Sequence, residues 1–98
     1  MIMHKIKAYY EVEGKVLKCK VTTQKDGEVL RKVMLEYGKA YKVIPDNKNK
    51  LKHRDKVGVL HGFKLDKTGN VYQARIKFDE TNRIGYVDVA DLHNFKNE

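Results

Sequence analysis

The sequence predicts a mostly β protein, built as a small barrel or a strongly bent antiparallel sheet with an N-terminal β-hairpin extension. Three observations predict it: apolar residues recur at every second position through most of the chain, the alternating runs are short, and Gly, Asp and Asn turn signals separate them.

The first run places Ile2, His4, Ile6, Ala8, Tyr10 and Val12 on one face and Lys5, Lys7, Tyr9 and Glu11 on the other, a strand pattern. Glu13-Gly14 supplies a turn, and Leu17, Cys19 and Val21 then alternate with Lys18, Lys20 and Thr22, so the first two strands form a hairpin. Asp26-Gly27 marks a second turn. The stretch from Glu28 to Tyr37 reads two ways. Its apolar spacing suits one face of a helix, which Gly38 would stop, and it suits a strand, which the Asp-Gly just upstream favours.

Ala40, Tyr41, Val43 and Ile44 form a short strand that Pro45 and the polar run from Asp46 to Asn49 end. A basic loop follows. Val57, Val59, His61 and Phe63 alternate in the next strand, Asp66 to Asn70 form a polar turn, and Tyr72, Ala74, Ile76 and Phe78 alternate in the strand after it. Thr81 and Asn82 sit at another turn, and the run from Ile84 to Val89 is a short strand. Ala90-Asp91-Leu92 reads as one turn of tight helix before a polar, frayed tail. The resulting division is a single domain over 1–98, with 1–38 as N-terminal extension, 39–92 as barrel core and 93–98 as tail.

With 98 residues, 41% hydrophobic and 35% charged, and one Pro, the chain is the size of one domain and too apolar for a disordered one. Cys19 is the lone cysteine, which rules out an internal disulfide or a multi-cysteine zinc site and fits a reducing compartment. Lysines interrupt the apolar residues at the start, and no later stretch reaches the length of a signal segment or a membrane span, so the expected location is cytoplasmic.

The net charge of +8 comes from 21 Lys and Arg against 13 Asp and Glu. It attracts polyanions at long range, or it simply keeps the protein soluble. Lys48, Lys50, Lys52, His53, Arg54 and Lys56 are concentrated in one loop and its edge, where they can neutralise several phosphates; otherwise they are a solvated connection. Lys5, Lys7, Lys18 and Lys20 extend such a patch if they share an outward sheet face. Tyr9, between Lys7 and Glu11 on the polar face of the first strand, is the aromatic placed to stack on an unpaired base, whereas Tyr37, Tyr41, Tyr72 and Tyr86 are expected to pack. Replacing Lys50, Lys52, Arg54 and Lys56 together by Ala is expected to leave folding intact, since loop charges contribute little to stability.

Three segments carry a resemblance: Lys52-His53-Arg54-Asp55-Lys56-Val57-Gly58-Val59-Leu60, then Ala74-Arg75-Ile76-Lys77-Phe78, then Gly85-Tyr86-Val87-Asp88-Val89-Ala90-Asp91-Leu92. From about Tyr41 to Leu92 the chain resembles an SH3-like barrel of the KOW or translation-protein kind. What the resemblance implies is binding to RNA, to ribosomal or transcription machinery, or to duplex DNA through loops at one end of the barrel, without catalysis.

No catalytic constellation emerges from the residues themselves. His4, His53, His61 and His93 are scattered, none at zinc-like spacing from another His or from Cys19, and His4 and His61 fall on apolar faces. Cys19 alternates with Leu17 and Val21 as a small buried hydrophobe. The acidic pairs Asp79-Glu80 and Asp88 with Asp91 adjoin turns, where carboxylates are ordinary caps, and no metal or cofactor is implied. Three classes therefore remain. The first is a nucleic-acid or ribonucleoprotein-binding module. The second is a protein-interaction module using the barrel surface or a strand edge. The third is a small endoribonuclease in which His53 and Arg54 supply the acid or base and the phosphate contact.

Overall fold

The computed structural model describes residues 2–10, 13 and 15–95. The predicted strand position of Val12, its neighbour Glu11, Gly14 of the first turn, and residues 96–98 of the tail lie outside the described residues. Strands β1 (Ile2–Tyr10), β2 (Val16–Lys25) and β3 (Glu28–Glu36) form one antiparallel sheet in chain order. Strands β4 (Ala40–Val43), β5 (Val57–Leu65), β6 (Val71–Phe78), β7 (Ile84–Asp88) and β8 (Leu92–Asn94) form a second, ordered β7-β6-β5-β4-β8, with a 3₁₀ turn at Val89–Asp91. The mostly β fold is thus as the alternation predicts.

Local chemistry explains the tightest connection. Asp26 and Gly27 both take positive φ, 53° and 85°, which is the I′ geometry whose twist matches the flanking strands, and Lys25 pairs directly with Glu28. The turn settles the ambiguous stretch. With Glu28–Glu36 held against β2 from its first residue, Val33 and Leu35 point inward and are buried, while Met34 and Lys32 face solvent.

The two sheets share one core. Cys19, Val21, Val33 and Leu35 from the first sheet pack with Tyr41, Val43, Leu60, Ala74, Ile76, Phe78, Val87 and Leu92 from the second. Strands β1–β3 are therefore a three-stranded wall of that core, where a hairpin extension was expected. Polar ties also cross the junction. The buried Tyr41 hydroxyl donates to the carbonyl of Met34 (3.1 Å) and accepts the N–H of Glu36 (2.7 Å). The Arg31 guanidinium donates to the carbonyls of Ala90 (2.8 Å) and Leu92 (3.0 Å), satisfying chain that the 3₁₀ turn leaves exposed. Cys19 is fully buried, and its thiol is pushed up to about 11 by that burial, so it packs as a hydrophobe.

Two bulges redirect side chains in ways that strict alternation does not show. In β5 the register with β6 slips between Leu60 and Gly62, so Leu60 and Phe63 face the core while Val57 and Val59 do not, contrary to the even Val57, Val59, His61, Phe63 face. Between Gln73 and Val71 of β6 the register slips again, turning Val71 inward and Tyr72 out. His93 and Asn94 also differ from the expected frayed tail, because Leu92–Asn94 pair with Val43–Tyr41 as β8. Leu92 is a core residue and holds that strand in place.

Candidate nucleic-acid interface

The loop between β4 and β5 is stitched to itself. Arg54 Nε donates to the carbonyl of Lys50 (3.1 Å) and Nη2 to the carbonyls of Pro45 (3.0 Å) and Asn47 (2.6 Å). Backbone bonds from Asp55 to Val43 and from Lys56 to His53 close the same loop, and His53 and Asp55 adopt positive φ to do so. A guanidinium donating to three carbonyls has its fork turned inward. Arg54 is a clasp for the loop, with Nε and Nη2 spent on loop carbonyls where the sequence suggested a phosphate contact.

Lys50 is likewise engaged. Its ammonium lies 2.7 Å from Asp88 Oδ2 and 2.6 Å from Asp91 Oδ2, and Asp91 is only 7% exposed. The acidic pair expected to cap a turn is instead the counter-charge of a loop lysine 38 and 41 positions away. These contacts hold the Lys50 ammonium above its ordinary value despite partial desolvation. His53 stacks on Phe78, with ring centroids 4.5 Å apart, and both rings lie against Gly85, where an added Cβ would come within 2.8 Å of Phe78 Cε2. Burial, then the nearby Lys52 and Lys56, hold His53 below its ordinary value. The predicted acid/base and phosphate pair is thus committed to packing and loop closure. Of the six predicted loop residues, Lys48 and Lys52 are exposed and Lys56 is half-buried.

Tyr9 is exposed, as predicted, with Lys7 Nζ 5.4 Å from its ring centre. It lies on the outer face of the first sheet, bordering a hollow with Tyr10, Leu17, Lys18 and Met34 that includes no loop residue. Lys5, Lys7, Lys18 and Lys20 share that sheet face, as expected, and Lys32 joins them.

A second group of residues, not expected from sequence, gathers on the outer face of β5, β6 and β7. Register places Lys64, Gln73 and Asp88 in one cross-strand row, Arg75 and Tyr86 in the next, and Lys77 and Ile84 in the third. Tyr72 and Tyr86, expected in the core, are 40% and 47% exposed, and Lys64 Nζ stands 5.9 Å and 4.9 Å from their ring centres. Tyr37 is also exposed, leaving Tyr41 as the packed tyrosine of those four. The carboxylate of Asp88 in this face is already held by Lys50 and by Gln73 Nε2 (3.4 Å). A cleft of about 150 Å³ runs from Tyr86, Gln73 and Asp88 to Lys52 and His53, so an exposed loop lysine borders the tyrosine face.

The signal for Tyr86 was present, since Ile84, Tyr86 and Asp88 alternate with Gly85, Val87 and Val89. Tyr72 carried none, because its exposure depends on the bulge at Val71. Among the described residues, no three His, Cys, Asp or Glu side chains are placed to hold a metal ion, and no helix is long and apolar enough to cross a membrane. No protein-family model, curated protein or solved structure matches the chain.

Proposed function

We propose that this protein is a binding module for single-stranded nucleic acid, with the outer face of β5–β7 as its platform. The observation that carries the reading is the pair of exposed tyrosines, Tyr72 and Tyr86, bridged by Lys64 and flanked by Arg75, Lys77 and Lys52. Exposed aromatic rings interleaved with cations suit unpaired bases, whose faces stack while the phosphates meet Lys and Arg; a duplex hides those faces. Stacking is worth about 1–3 kcal/mol per base, against roughly 0.5–1 kcal/mol for an exposed cation–π contact. A base therefore displaces Lys64 from a ring, and the freed ammonium turns to phosphate. The net charge of +8 adds long-range attraction. Binding to RNA is also what the SH3-like resemblance implies, but here the strand face carries the site and the loop contributes mainly Lys52.

The test is fluorescence anisotropy with labelled single-stranded RNA, duplex RNA and duplex DNA at low and near-physiological salt. Four phosphate contacts predict a slope of log K against log salt of about −3 for a single strand. Replacing Tyr72 and Tyr86 together by Ala weakens single-strand binding at least about tenfold while leaving the melting temperature in place. Absence of binding at low salt, or equal binding to all three probes that survives the tyrosine replacements, overturns the proposal.

A further inference from the structure

Strand β1 is an edge. It pairs with β2 along one side over its nine residues, and among the described residues no backbone partner lies on its other side. A row of free N–H and C=O groups of this length is a template for another strand. The side chains say which strand. On the outer face Lys5 and Lys7 lie beside Lys20, directly opposite Lys7, with Lys18 and Lys32 beyond. Neither β1 nor β2 contains a carboxylate; Asp46, 3.5 Å from the His4 ring, lies on the inner face, and on the outer face Glu36, on β3, is bound by Lys39 and lies 3.6 Å from Lys18. On the inner face Ile2 and Ile6 remain exposed where the core wall ends.

A second copy of the chain fits this edge badly. Antiparallel pairing about Ile6 sets Lys5 against Lys7 twice, and like charges directly opposite destabilise a strand pair. The same lysines favour a strand with carboxylates in those positions. We infer that β1 receives an extended acidic segment of a protein partner by strand addition, its alternate acidic side chains meeting Lys5 and Lys7 and its intervening apolar ones covering Ile2 and Ile6. This surface is separate from the tyrosine face, and the inference stands on the free edge and its charge independently of nucleic-acid binding.

The test uses a fluorescein-labelled nine-residue peptide of alternating Glu and Val, its Lys-for-Glu counterpart and labelled oligo(dT), each titrated into the intact protein. The Glu–Val peptide is expected to bind saturably, the Lys–Val peptide not, and the amides of β1 to gain protection from hydrogen exchange. Lys5→Glu with Lys7→Glu, both exposed, should leave the melting temperature unchanged and weaken the Glu–Val peptide roughly tenfold or more, two exposed attractions having become repulsions. Equal binding of both peptides, or binding without protection of β1, overturns the inference. So does a double variant that loses oligo(dT) while the Glu–Val peptide never binds, which would make this face a nucleic-acid surface.

Discussion

Lys50→Ala removes the ammonium that holds Asp88 and Asp91, and its cost follows from where the three groups sit. Removing one partner of a fully buried ion pair costs about 3–5 kcal/mol, whereas an exposed pair contributes about 0–1 kcal/mol. The Asp91 side chain is 9% exposed but those of Lys50 and Asp88 are 39% and 48% exposed, so water reaches the site from one side. Arg31, held against the carbonyls of Ala90 and Leu92, also gives Asp91 some compensating charge. The expected loss is therefore about 2 kcal/mol, between those limits, or roughly 10 °C in a domain of this size. Urea denaturation followed by circular dichroism measures it, with Lys52→Ala as the control, expected to stay within about 0.5 kcal/mol of the parent. Adding Asp91→Asn to Lys50→Ala should restore part of the loss, because the uncompensated carboxylate is then gone. Equal stability of Lys50→Ala and Lys52→Ala would refute the reasoning and return Lys50 to the free loop cations.

Arg54→Ala takes the donor from the carbonyls of Lys50 and Pro45, while that of Asn47 keeps the Lys50 N–H, and should cost about 1–2 kcal/mol in the same assay, with Arg54→Lys recovering less than half because an ammonium lacks the planar fork that reaches these carbonyls together. Recovery to parental stability by Lys would contradict the clasp. These two losses together mean that the fourfold Ala replacement of Lys50, Lys52, Arg54 and Lys56 unfolds or strongly destabilises the protein, against the expectation from sequence. Stability should also fall as pH drops from 7.5 to 5.5. Burial, aided by Lys52 and Lys56 at His53 and by Arg31 at His93, holds both imidazoles below their ordinary value of 6.5. The unfolded chain then binds protons more readily, and stability present above that value is lost below it. A urea midpoint that is unchanged or higher at pH 5.5 would count against this, and His53→Phe should flatten part of the slope.

How far the fold could be read from the chain is clearest at particular residues. Asp26-Gly27 needed only its own chemistry to form a tight hairpin, and Cys19 and Val21 needed only alternation to be placed inward. Tyr72 could not be placed this way, because its direction depends on an extra residue in β6 that is seen only against β5. His93 and Asn94 are polar and terminal in sequence, yet they pair with β4 because Leu92 beside them is a core residue. In the basic loop, charge and position were legible, but which cations had partners was not.

The sequence by itself determined the period of two, the turns and the excess of positive charge, because these arise from residues within a few positions of each other. Only the tertiary structure decided that Lys50 neutralises Asp88 and Asp91, that Arg54 binds loop carbonyls, and that Lys64 bridges Tyr72 and Tyr86. Whether a cation is available to a ligand depends on what lies within about 4 Å of it, and that distance is set by strands brought together from far apart in the chain.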